Sequence, residues 1–187
     1  INIAEGVKII VKKGATLNIN NSTLTNGCGD LWQGIEVHGL ASEHQSSAQG
    51  RLLVGNSTIE YAFVGVKAGS ITGLGEGGGI LDMVESNMKD NISGVAFNAY
   101  VRTVSTNETF NRSSIRFMNF DRTLDHIPAD SKLTHVFVRD CSTIRLRGNT
   151  YTNSAWASYT LEFRGTGIKS NDSSIDEKWI CATSTIE

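Results

Sequence analysis

"GATLNINNSTLT" (14–25) and "GRLLVGNSTIEYA" (50–62) are two copies of one short pattern, and their relation decides the fold. A third copy, "GGILDMVESNMKDN" (78–91), keeps the spacing. Two looser ones follow, "RSSIRFMNF" (112–120) and "STIRLRGNTY" (142–151). Aligned on the last apolar residue, they place Leu24, Ile59, Met88, Phe120 and Tyr151 at one position. Five residues earlier stand Ile19, Val54, Met83, Ile115 and Leu146, and seven earlier Leu17, Leu52, Leu81, Ser113 and Ile144. Two earlier are Ser22, Ser57, Ser86, Met118 and Asn149.

These offsets dictate a local geometry. Side chains alternate along a strand with period two, so the positions seven and five before the anchor share a face. The anchor and the position two before it also share one. Between those two pairs the period breaks by one residue, so a turn must separate two short strands whose apolar faces still agree. Asn20–Asn21 and Gly55–Asn56 fill that gap, and such residues tolerate a left-handed backbone at little cost. Later copies carry other residues there, and the match weakens along the chain.

Successive anchors are 29 to 35 residues apart. One apolar corner per repeat cannot bury itself, but stacked copies build a continuous core. A second signal follows each of the first three corners: "GIEV" (34–37), "GVKA" (65–68) and "GVAF" (94–97), with "GTGI" (165–168) as a counterpart after the fifth. It reads as a further strand of the same rung, with Gly turning the chain into it. The expectation is an all-β chain, a single right-handed parallel β-helix domain over residues 1–187 with about five to six rungs. At ~4.8 Å per rung the stack is on the order of 25 Å long. Residues 121–136 and 40–49 read as protruding loops. A β-sandwich is the alternative, but its hairpins would show repeated turn signals. Asn26-Gly27 is the only such pair, and it recurs nowhere.

Composition agrees with short strands and tight turns: 19 glycines, frequent Ser, Thr and Asn, and Pro128 as the only proline. The 17 basic and 19 acidic residues form no run, so a nucleic-acid footprint is not expected. Arg139, Arg145 and Arg147 read as a solvated face. No stretch is long and apolar enough to span a bilayer as a helix, so membrane insertion is not expected. The chain opens mid-pattern on "INIAEGVKII" without a Met or a signal-like segment, and closes on the strand-like "WICATSTIE". Both ends suggest an excised piece of a larger protein. Cys28, Cys141 and Cys181 lack zinc or disulfide-framework spacing and read mostly as buried small hydrophobes, one bridge plus a free thiol being the alternative.

The rung "A-x-L-x-I-x-N-S-T-L", followed by "W-Q-G-I-E-V", "L-L-V-G-N-S-T-I-E" and "G-G-G-I-L", resembles β-helix segments of large secreted or surface-associated proteins of Bacteroidetes. Many of those are exported by type IX secretion and carry no assigned activity. The likeness is clearest over residues 7–100 and fades after about residue 151. It implies a β-helix at the cell surface or outside the cell, and it brings no catalytic residues with it.

Candidate chemistry is sparse. The Asn-Thr-Asp, Asp-Asp, Gly-His-Gly and Arg-Ile-Lys set of polygalacturonase-like sites is missing. Leu124-Asp125-His126 only half meets the Trp-Ile-Asp-His signature of pectate-lyase-like sites; Asp125 and His126 read rather as capping or loop-ordering residues. Glu36 and His38 are two apart on one strand, so with Ile35 and Val37 inward both point out to solvent. Such a pair could do acid–base work or bind a metal, but reads first as a plain surface contact. Asp30 and His44 are near enough in sequence to join it. Trp32, Trp156 and Trp179 could stack on sugars if exposed; Trp32, two residues before Gly34, reads rather as filling a rung corner. "GLGEGG" (73–78) lacks the helix and acidic residue of a dinucleotide site and reads as a flexible turn. "GGGILD" (77–82) departs from the calcium-binding nonapeptide at Ile80. Sequons at Asn21, Asn56 and Asn107 follow from Asn-rich turns. No cofactor or metal is expected.

Three function classes follow, in this order. The first is a non-catalytic scaffold or adhesion segment of a secreted or cell-surface protein, with polysaccharide or other surface proteins as partners. Next come a carbohydrate-binding module and then a polysaccharide lyase or hydrolase. Unpaired rung edges at the two ends predict end-to-end self-association or a capping element.

Overall fold

Each repeat folds into three short strands because three apolar stretches per repeat must reach one core. The computed structural model describes residues 1–28, 30–46, 49–72, 75–100, 111–123, 134–141, 144–152, 166–171 and 175–176. Three parallel sheets result. The first contains β1 (Lys8–Val11), β4 (Trp32–Val37), β7 (Ala62–Ala68), β10 (Ser93–Phe97), β13 (Thr134–Arg139) and β16 (Thr166–Asn171). The second contains β2 (Thr16–Asn20), β5 (Arg51–Gly55), β8 (Ile80–Val84), β11 (Ser114–Arg116), β14 (Ile144–Arg147) and β17 (Ile175–Asp176). The third is narrower: β3 (Thr23–Leu24), β6 (Thr58–Glu60), β9 (Asn87–Lys89), β12 (Asn119–Asp121) and β15 (Thr150–Tyr151). The chain visits the sheets in rotation, which makes a parallel β-solenoid. Every pairing among the described strands is parallel, which removes the sandwich alternative.

The register follows the repeat alignment residue by residue. Leu24 pairs with Ile59, Ile59 with Met88, Met88 with Phe120 and Phe120 with Tyr151. The column Ile19, Val54, Met83, Ile115 and Leu146 is equally continuous. From Leu24 to Tyr151 the chain makes about four full turns, slightly fewer than expected, with β1 and β17 adding partial turns. Ile59, Leu81, Met83, Ile115 and Phe120 are fully buried in one continuous core. Each such side chain contributes about 1.5–3 kcal/mol by leaving water.

The turn between the second and third sheets is sharper in the structure than the sequence suggests. Asn21, Asn56, Glu85, Phe117 and Gly148 occupy equivalent positions, and all five have φ between 46° and 59°. The left-handed turn therefore persists where the sequence match had weakened. A ladder of polar side chains follows it: Ser57 Oγ accepts from the Ser22 amide and Ser86 Oγ from the Ser57 amide, both at 3.1 Å. Asn149 Oδ1 does the same for Met118 N at 2.9 Å. These buried bonds satisfy amides that the turn removes from the strand ladders.

Several expectations are corrected. The span 121–136 is not one loop: Asp121 ends β12 and Thr134–Val136 begin β13, the first-sheet strand of the fourth repeat. Its signal was hidden because "THVFVR" lacks the leading Gly. Residues 40–46 form turns rather than strand, but the segment is anchored, with Gln45 and Gln49 buried. Gly77 of "GLGEGG" is not slack either, although Gly75 has open space around it. A Cβ on Gly77 would lie 2.2 Å from Ala99 O, and one on Gly79, just beyond it, 2.1 Å from Val37 O. Cys28 is exposed and Cys141 buried, and both are free thiols, so the buried reading holds for Cys141 and not for Cys28. Cys181 and the closing "WICATSTIE" lie outside the described residues.

Candidate functional site

The alternation of β4 places its residues as the sequence requires, but not their environment. Ile35 and Val37 are fully buried in the core, so Glu36 and His38 leave from the opposite face. Glu36 is nevertheless 1% exposed, which corrects the expectation of a solvent-facing pair. Neighbouring chain covers it. The Lys8 ammonium from β1 reaches Glu36 Oε1 at 2.9 Å. The backbone amide of Ile71, in the segment leaving β7, donates to the same oxygen at 2.9 Å. His38 Nε2 lies 2.8 Å from Glu36 Oε2. Gly69 N donates to Val37 O at 3.0 Å and holds that covering segment down.

Electrostatics follow from this cover. Burial alone would raise the Glu36 pKa, but the Ile71 amide, Lys8 and His38 outweigh it and hold the carboxyl below its ordinary value. Lys67 stands opposite Glu36 on β7; burial lowers its pKa, and the charge of Glu36 partly offsets this. A low-pKa carboxylate with both oxygens already engaged by the protein's own groups is a poor general acid. What the group does is hold β1, β4 and the segment after β7 together.

Other candidates are not brought to it. Asp30 is exposed, and His44 pairs with Ser46 through Nδ1 at 2.9 Å; neither contacts Glu36. Trp32 is fully buried and its Nε1 donates to Glu60 O at 2.8 Å, so it fills the core and offers sugars no face. Asp125, His126, Trp156 and Trp179 lie outside the described residues. Arg139 pairs with Asp140, Arg145 with the Arg112 carbonyl and Arg147 with the Phe117 ring, a set of separate surface contacts. Among the described residues no three His, Cys, Asp or Glu side chains converge as a metal site would require.

Two titratable groups sit deep elsewhere. His135 lies against the Phe120 and Tyr151 rings, and burial pushes its pKa down to about 4. Asp90 is fully buried and accepts the Thr123 hydroxyl at 2.6 Å and the Thr123 amide. Burial raises its pKa despite those bonds.

One further row of residues carries a signal outside the apolar columns. The position just before each anchor is Thr23, Thr58, Asn87, Asn119 and Thr150, and the register aligns all five on the outer face of the third sheet. The repeat alignment already shows these polar residues in a column beside the apolar anchors.

Fold and site together define a parallel β-solenoid whose polar side chains mainly serve its own rungs. No family model, curated protein or solved structure matches the chain.

Proposed function

We propose that the chain is a non-catalytic scaffold or adhesion segment of a secreted or cell-surface protein. The observation that carries this reading is the engagement of Glu36: the best acid–base candidate in the sequence joins three pieces of the solenoid. The rungs' likeness to surface-associated β-helix segments of Bacteroidetes supports a place outside the cell, with export of the type IX kind.

Two measurements test the two halves. Incubating the chain with a panel of polysaccharides is expected to release no new reducing or unsaturated ends. Antibodies raised against the chain are expected to label intact cells that produce it. New chain ends overturn the non-catalytic reading, and labelling only after lysis overturns the surface location.

A further inference from the structure

The outer face of the third sheet carries a groove of about 380 Å³ that runs across β3, β6, β9 and β12, along the axis of the stack. One side is the row Thr23, Thr58, Asn87 and Asn119, and the other is Glu60, Lys89 and Asp121. Strands in a sheet are ~4.8 Å apart, so four rows offer a regular track on the order of 15 Å long. Thr23 and Asn119 make no side-chain hydrogen bond to any described residue, and Asn87 Nδ2 reaches only Thr58 Oγ1, at 3.4 Å.

From this geometry we infer that the groove binds a linear, uncharged polysaccharide laid along the solenoid axis. Amides and hydroxyls both donate and accept, which suits a ligand whose own groups are hydroxyls. Charge decides against other polymers. Lys89 stands between Glu60 and Asp121 in register, so the charged row alternates in sign. A polyanion would meet two carboxylates, and a polycation would meet Lys89. An apolar partner finds only Met88, which is buried. A pyranose ring is comparable in length to one rung rise, so successive sugars can present hydroxyls to successive rows. This site goes beyond the scaffold reading and stands whether or not adhesion is its use.

Calorimetric titration of the 187-residue chain with cellohexaose, xylohexaose, mannohexaose and laminarihexaose tests it, with polygalacturonate as the charged comparator. Binding to at least one neutral hexasaccharide is expected, with Kd below about 1 mM. Asn87→Ala and Asn119→Ala should each weaken it about 3- to 10-fold, the effect of one lost hydrogen bond. Arg145→Ala, on the second sheet, should leave it unchanged, with far-ultraviolet circular dichroism of all variants as the check on folding. Failure of all four neutral ligands, affinity untouched by both Asn variants, or preference for polygalacturonate overturns the inference.

Discussion

Glu36 shows what a single position can and cannot reveal from sequence. Its direction was legible, because Ile35 and Val37 fix the alternation; its cover was not, because Lys8 and Ile71 arrive from other rungs. Glu36→Leu keeps the volume but strands the Ile71 amide and frees Lys8, and should cost about 1–3 kcal/mol. Glu36→Gln should cost less, since Oε1 still accepts from Lys8 and Ile71. Denaturant unfolding of the two variants checks the order. The acid response depends more on His135. Its folded pKa, about 4, lies below the ordinary 6.5, so the unfolded chain binds the extra proton between those values. Stability is therefore full above about pH 6.5 and falls by about 3 kcal/mol as pH drops to 4. Glu36, with a lowered carboxyl pKa, adds stability above 4.5 that is lost at lower pH. Asp90, with a raised pKa, opposes the loss at the low end of the window. His135→Phe should flatten the slope between pH 6.5 and 4, and an unchanged slope would remove His135 as its source.

At the level of the element, the repeated turn between the second and third sheets was half legible. Asn21 and Asn56 announce a left-handed residue, whereas Glu85 and Phe117 do not, yet all adopt it. The column of paired anchors imposes the turn on whatever residue stands there, and tertiary register outweighs local preference. Glu85 is exposed, so its substitution sacrifices no buried contact. Glu85→Asn should stabilise the protein by about 0.5–1 kcal/mol, because Asn enters the left-handed region more readily. Gly148→Ala should act the other way. Its φ is +59°, and the added Cβ would stand 2.7 Å from the Phe117 ring. A loss of about 1–3 kcal/mol is expected, from the left-handed strain with overpacking added. Thermal melts of the pair measure both signs. The strand β13 marks the opposite limit: without a leading Gly, its start at residues 134–136 reads as the end of a loop, although Val136 is a fully buried core residue.

At the level of the whole molecule, a solenoid should behave almost one-dimensionally, each rung held by its neighbours and free to fray from an end. The segment after β4 breaks that rule. Gln45 donates to the carbonyl of Gly78, one rung on, and to Asn111 Oδ1, two rungs on, at 3.2 and 3.1 Å. Its own Oε1 accepts from Arg112 N at 2.6 Å. Tyr100 Oη reaches back to Glu43 O at 3.0 Å in the same region. What reads in sequence as a protruding loop is a strap that skips a rung, and no periodicity could have announced it. The strap couples the start of the stack to β11 and makes unfolding more cooperative than a row of separate rungs would allow. Gln45→Ala removes three bonds from a buried site and should cost about 1–3 kcal/mol. It should also lower the denaturant slope, since the rungs beyond β10 become able to open before the earlier ones. Native-state hydrogen exchange separates this from a simple local defect. Amides of β11, β12 and β14 should lose more protection than those of β5 to β7, whereas equal losses throughout would show that the core alone carries the coupling.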